Sequence, residues 1–296
     1  MLTLLVALTM AEQPQIPWRT EYVMELGTLH RQGHPVCEPI PNELEGMYSL
    51  MGRLGWRLMQ RDRLAWLATD ALKEAGAIDG ITGWITDIDD QGVVIHWVRD
   101  ADGKLQSVYE GRLVDDALVW TRGPGADAAP LPAHLHPGWL CRQTALAAVT
   151  AGELQVQHPK MNVIVELVDD TPYVFLVPPK SDDEGLYIGG VVSLVCSDGT
   201  MKDAGLSTPQ MVTLPVGTDL AQMQGVSPSP VPLPTPGQYF QGLLHDDPML
   251  IQAQGHAWYI VPGKEDHYLG ALPKNEKTAA KRLKKLQAME KTNQHR

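Results

Sequence analysis

Residues 81–121 hold the pattern that most constrains the fold: short runs of β-branched and aromatic residues, each cut by a turn-forming pair. Gly83-Trp84-Ile85 lies in the first run and Val93-Val94-Ile95-His96-Trp97-Val98 makes the second. Residues 105–109 make the third and Leu118-Val119-Trp120 the fourth. Gln91-Gly92 and Asp102-Gly103 fall between runs, and glycine there supplies the positive φ that tight hairpin loops require. Runs this short, joined this tightly, leave no length for a crossover to a parallel neighbour, so the segment is expected to be an antiparallel meander.

A helix precedes the meander. Over 50–75, Leu54, Leu58, Leu64, Leu67, Ala71 and Leu72 recur mostly at spacings of three and four, after Asn42-Glu43-Leu44-Glu45 and before Gly76 and Gly80. Residues 12–45 are proline-rich and read as an irregular arm. The helix and meander together form an expected first domain, 46–123. Residues 124–138, rich in Gly, Pro and Ala, read as a linker. A short helix from Trp139 and further strand runs, such as 162–168 and 173–177, make a second antiparallel, strand-rich domain over 139–273. Within it, prolines at 228, 230, 232, 234 and 236 forbid helix and sheet interior, so 226–237 reads as an extended strap. The fold class expected is therefore α+β, closing on a basic helix over 274–296.

Charge separates that tail from the body. The chain of 296 residues carries −11 overall, with 24 basic and 35 acidic residues. Eight of the basic residues but only two Glu lie in 274–296, so the body carries about −17. An acidic body repels nucleic acid and anionic membrane, so no nucleic-acid partner is expected, and the tail is expected to dock on its own body. A protein partner remains open. The run Leu2–Met10 ending at Ala11 reads as a clipped signal peptide over 1–11, with a start at Met10 as the alternative. The first reading implies a periplasmic or secreted protein and the second a cytoplasmic one. No other stretch approaches the ~20 apolar residues of a membrane span. Cys37, Cys141 and Cys196 are compatible with one bridge and a free thiol, or with three reduced cysteines.

The segments Gly55-Trp56-Arg57-Leu58-Met59-Gln60-Arg61-Asp62-Arg63-Leu64-Ala65-Trp66 and Arg142-Gln143-Thr144-Ala145-Leu146-Ala147 resemble those of a group of uncharacterised secreted proteins of Gram-negative bacteria. Tyr173-Val174-Phe175-Leu176, Gly189-Gly190 and Ser197-Asp198-Gly199 extend the resemblance, which spans most of 50–260. It implies a signal peptide, an α+β fold and no known activity. The group often places cysteines before the strand that starts here at Asn162 and near Met211. This chain has His158-Pro159 and Gln210-Met211 there, so the residues of such a disulfide are missing.

Chemistry-bearing residues are few. His30, His34 and Cys37 form H-x₃-H-x₂-C, and two His four apart on a helix can share a metal, but Gly33 and Pro35 break the helix that would align them. His134 and His136 form H-x-H in the linker, a weak pair unless it converges with the first set. Asp87-x-Asp89-x-Gln91-Gly92 imitates a calcium loop but has Val98 where the bidentate Glu belongs, so a hairpin turn is expected. Asp62 and Asp70 lie two helical turns apart, beside several Arg and Lys. The sharpest catalytic idea joins Cys141 at a helix start with His256 and Asp266, an order similar to that of transglutaminase-like cysteine enzymes. G-x-S-x-G, the P-loop, G-x-G-x-x-G and H-E-x-x-H do not occur. No cofactor is expected. The leading expectation is a non-enzymatic binding or envelope-associated protein; a cytosolic partner-binding protein and a thiol enzyme are the alternatives.

Overall fold

The computed structural model describes residues 17–182, 185–197, 199–220, 224–227, 230–262 and 267–293. The signal-like run at 1–11 and Pro228 of the strap lie outside them. The architecture is α+β, about 35% helix and 36% strand, with a helix first and last among the described elements.

Two helices open the described chain, α1 (Pro17–Arg31) and α2 (Asn42–Glu74). The first corrects the expectation of an irregular arm. Proline at the start of a helix costs no hydrogen bond, because that N–H has no intrahelical partner. Tyr22, Val23, Leu26 and Leu29 then repeat at helical spacing and are buried. Gly33, at φ +83°, ends α1: its N–H donates to His30 O at 2.9 Å and that of His34 to Leu29 O at 3.0 Å. This is a Schellman closure, and it turns the chain away from the helix axis.

The meander forms as read. β1 (Gly83–Asp89), β2 (Gly92–Ala101), β3 (Lys104–Val114) and β4 (Ala117–Arg122) pair in sequence order, all antiparallel. The linker does not stay free of structure. β5 (Ala129–Pro130) pairs with β3, and Leu131 and Leu135 are buried beside Ile85, Val98 and Trp139. Helix α3 (His136–Thr150) follows a 3₁₀ turn at Ala133–Leu135.

A second antiparallel sheet holds β6 (Asn162–Val168), β7 (Thr171–Val177), β8 (Ser181–Asp182), β9 (Gly185–Ser197), β10 (Thr200–Asp203) and β11 (Thr208–Leu214). The long β9 is its hub, pairing with β7, β8, β10 and β11. A third sheet runs β12 (Gln224–Ser227), β13 (Met249–Ala253), β14 (His256–Ile260) and β15 (His267–Ala271). β12 lies parallel to β13, so the strap begins as an edge strand. It ends as a helix start. Thr235 and Gln238 form a capping box, and Pro236 opens α4 (Pro236–His245), an element the proline pattern hid.

Apolar packing crosses the segment expected to be a linker. Leu58, Leu64 and Trp97 share one cluster with Ile164, Phe175, Val191 and Phe240. The basic tail docks on the body as expected: α5 (Glu276–Asn293) buries Ala279 and Leu286 in a cluster with Tyr22, Leu26 and Leu250. No described helix is long and apolar enough to cross a membrane.

Candidate functional site

Among the described residues, one group of at least three His, Cys, Asp or Glu side chains stands close enough to hold an ion: His30, Cys37 and His267, with donor atoms all within 4.8 Å of one another. His30 sits in the last turn of α1, Cys37 follows the Schellman turn, and His267 opens β15. The Cys37 Sγ lies 3.6 Å from His30 Nδ1. The ring centroids of His30 and His267 are 4.6 Å apart, and the edge of His30 meets Tyr259 at 4.9 Å. Tyr259 is the register partner of His267, so β14 and β15 present both contacts to α1 together.

The backbone holds the cysteine in place. The Glu38 N–H donates to Tyr268 O at 2.9 Å, which stitches the residue after Cys37 to the residue after His267. Val36, on the other side of Cys37, is buried. Arg282 of α5 donates to Glu38 Oε1 at 2.6 Å and to Leu269 O at 3.0 Å, pinning the same corner from the tail. Burial, then the neighbouring His267 and Arg31, hold His30 below the ordinary histidine pKa. Desolvation pushes the Cys37 thiol up, although its side chain is exposed in area. Nucleophilic attack and metal ligation both need the thiolate, so this shift favours neither over the other.

The sequence found two of the three residues and misassigned the third. His34 is buried and lies outside the group, because the turn at Gly33 takes it off the helical register that would have set it above His30. His267 replaces it, from 237 positions beyond His30, and no local spacing signals that convergence. His134 and His136 do not join the group. His134 Nε2 pairs with Asp87 Oδ2 at 2.7 Å, and His136 Nε2 donates to Leu131 O at 3.1 Å.

The thiol-enzyme constellation is overturned at its nucleophile. Cys141 is disulfide-bonded to Cys196, joining α3 to β9, and both residues are buried. His256 sits in the third sheet with Nδ1 2.7 Å from the Tyr268 hydroxyl, and Asp266 lies outside the described residues. An open groove of 510 Å³ lies over the disulfide, lined in part by His136, Leu140, Asp170 and Gly199. The calcium-loop imitation is a hairpin: Asp89 accepts from Gln91 N and both terminal nitrogens of Arg112, at 2.9, 2.7 and 2.6 Å.

Other polar groups are structural in geometry. Glu166 is buried on β6, 2.8 Å from Arg57 Nη1 and 2.6 Å from Arg61 Nη2, and Arg61 also reaches Thr86 Oγ1. Asp62 is buried and accepts from Asn162 Nδ2 at 2.7 Å, whereas Asp70 is exposed, so the two carboxylates do not act together. Burial raises the Asp62 pKa to about 6. In the meander, Ser107 Oγ and Glu110 Oε2 both approach His96 Nδ1, at 3.2 and 3.7 Å. A serine–histidine–acid relay needs the two partners on opposite ring nitrogens, so this trio is not one. Arg142 lies buried with its guanidinium 5.3 and 5.6 Å from the Trp84 and Trp139 ring centroids.

Comparison of the chain with protein-family models, with curated proteins and with solved structures found no match.

Proposed function

We propose that this protein is a non-enzymatic binding or envelope-associated protein that works outside the cytoplasm, in the periplasm or secreted. The observation that carries the reading is the buried Cys141–Cys196 disulfide. Such bonds persist in oxidising compartments and are rare where thiol reductants act. The signal-like run before Glu12 and the resemblance to secreted Gram-negative proteins point the same way. The same bond removes the thiolate that the enzymatic alternative requires. For the ligand, a protein partner is favoured. Trp56 and Trp66 stand exposed on α2, and tryptophan is enriched where proteins meet.

The test is to fractionate the native host, with the upstream DNA intact, and sequence the N-terminus of the mature protein. Recovery outside the cytoplasm with a first residue at Glu12 supports the reading. Recovery in the cytoplasm with a start at Met10 or Ala11 refutes it and transfers the binding role to an intracellular partner.

A further inference from the structure

We propose that His30, Cys37 and His267, the three ligands that the described residues supply, form a mononuclear site for a thiophilic d¹⁰ transition-metal ion, zinc(II) or copper(I). The separations support it. An ion bonded to sulfur at ~2.3 Å and to nitrogen at ~2.0–2.1 Å in a tetrahedral shell holds those two atoms about 3.5–3.6 Å apart. Cys37 Sγ and His30 Nδ1 are 3.6 Å apart. The His267 donor lies within 4.8 Å of the other two.

A thiol–imidazole hydrogen bond alone would explain one histidine, not two. The second imidazole is brought in by a separate strand, and the backbone bond from Glu38 to Tyr268 fixes the strand and the cysteine loop side by side. Glu38, the carboxylate adjacent in sequence, is committed to Arg282, so the described residues supply three ligands. One thiolate with two imidazoles matches zinc and monovalent copper and is a poor match to magnesium or calcium, which take oxygen. Binding displaces one proton, from the Cys37 sulfur to solvent, as the S–metal bond forms. Cys37 is the free cysteine of the chain, so the proposal also gives that exposed thiol a role that the disulfide pair does not share.

The experiment uses the full, chelator-treated chain titrated with cobalt(II), with zinc(II) and copper(I) as competitors. The expected result is one equivalent of cobalt, a thiolate-to-cobalt charge-transfer band and the strong visible bands of four-coordinate cobalt, all lost on adding zinc. Cys37→Ser, at an exposed position, abolishes the charge-transfer band. His267→Ala weakens binding by roughly tenfold or more, the least that loss of even an outer-shell partner costs. If His267→Ala does not fold, His30→Gln serves the same purpose. Copper(I) withdrawn from a chromogenic chelator while cobalt fails to bind identifies copper as the ion. The proposal is overturned if none of the three ions slows alkylation of Cys37, or if binding is unchanged in Cys37→Ser and in the histidine variants.

Discussion

Glu166 is the residue on which the junction between α2 and β6 turns. Its carboxylate is 1% exposed and faces two guanidinium groups, of which that of Arg61 is 4% exposed. Removing one partner of a buried pair leaves the other charge without compensation, at a cost of about 3–5 kcal/mol. Glu166→Ala is therefore expected to lose that much in urea unfolding, while Arg63→Ala, at an exposed pair with Asp116, loses under about 1 kcal/mol. Asp62 sets a pH dependence of opposite sign to the usual carboxylate. Folded Asp62 keeps its proton to about pH 6, against an ordinary 3.8. The folded state thus binds more protons than the unfolded one across that window, and stability falls as pH rises through it, by up to about 3 kcal/mol. Asp62→Asn should gain on the wild type progressively between about pH 4 and 6, with a constant difference above. A difference that does not vary with pH would contradict the assignment.

At the scale of elements, the crossing of α2 and α4 depends on Gly55. A Cβ built there would overlap Tyr239 Cβ and come within 2.9 Å of Pro236 O, both on α4. Neither atom is the end of a flexible chain, so Gly55→Ala is expected to cost about 1–3 kcal/mol, read as a lowered thermal midpoint. The same elements show what was legible beforehand. The meander was, because glycine turns and β-branched runs act locally. The hairpins at Asp115-Asp116 and Asp169-Asp170 obey the same rule with aspartate taking positive φ. Helices α1 and α4 were not, because each begins at a proline within a proline-rich stretch. Composition reads proline as irregular, whereas position reads it as a helix start. The 124–138 segment looked like a linker because Gly, Pro and Ala dominate it, yet Leu131 and Leu135 anchor it in the core.

Across the whole molecule, the first and last described helices are brought together. α1 and α5 share the cluster around Tyr22, Leu26 and Leu286, and Gln287 donates to Glu25 Oε1 at 3.0 Å. Deleting residues 274–296 should therefore lower the unfolding midpoint and expose α1. Unchanged stability, with loss of binding to anionic lipid or nucleic acid, would assign the tail a surface role instead. This closure also explains why the candidate site was half legible. His30 and Cys37 are local to one turn, while His267 arrives only when β15 docks beside α1, which no spacing encodes.

The most direct test of the account is a non-reducing peptide map of the protein from its host, alkylated at the moment of lysis in denaturant and chelator, which free Cys37 of any bound ion. It should show label on Cys37 alone and a cross-linked peptide pair carrying Cys141 and Cys196. Label on all three cysteines would contradict both the bond and the oxidising compartment inferred from it.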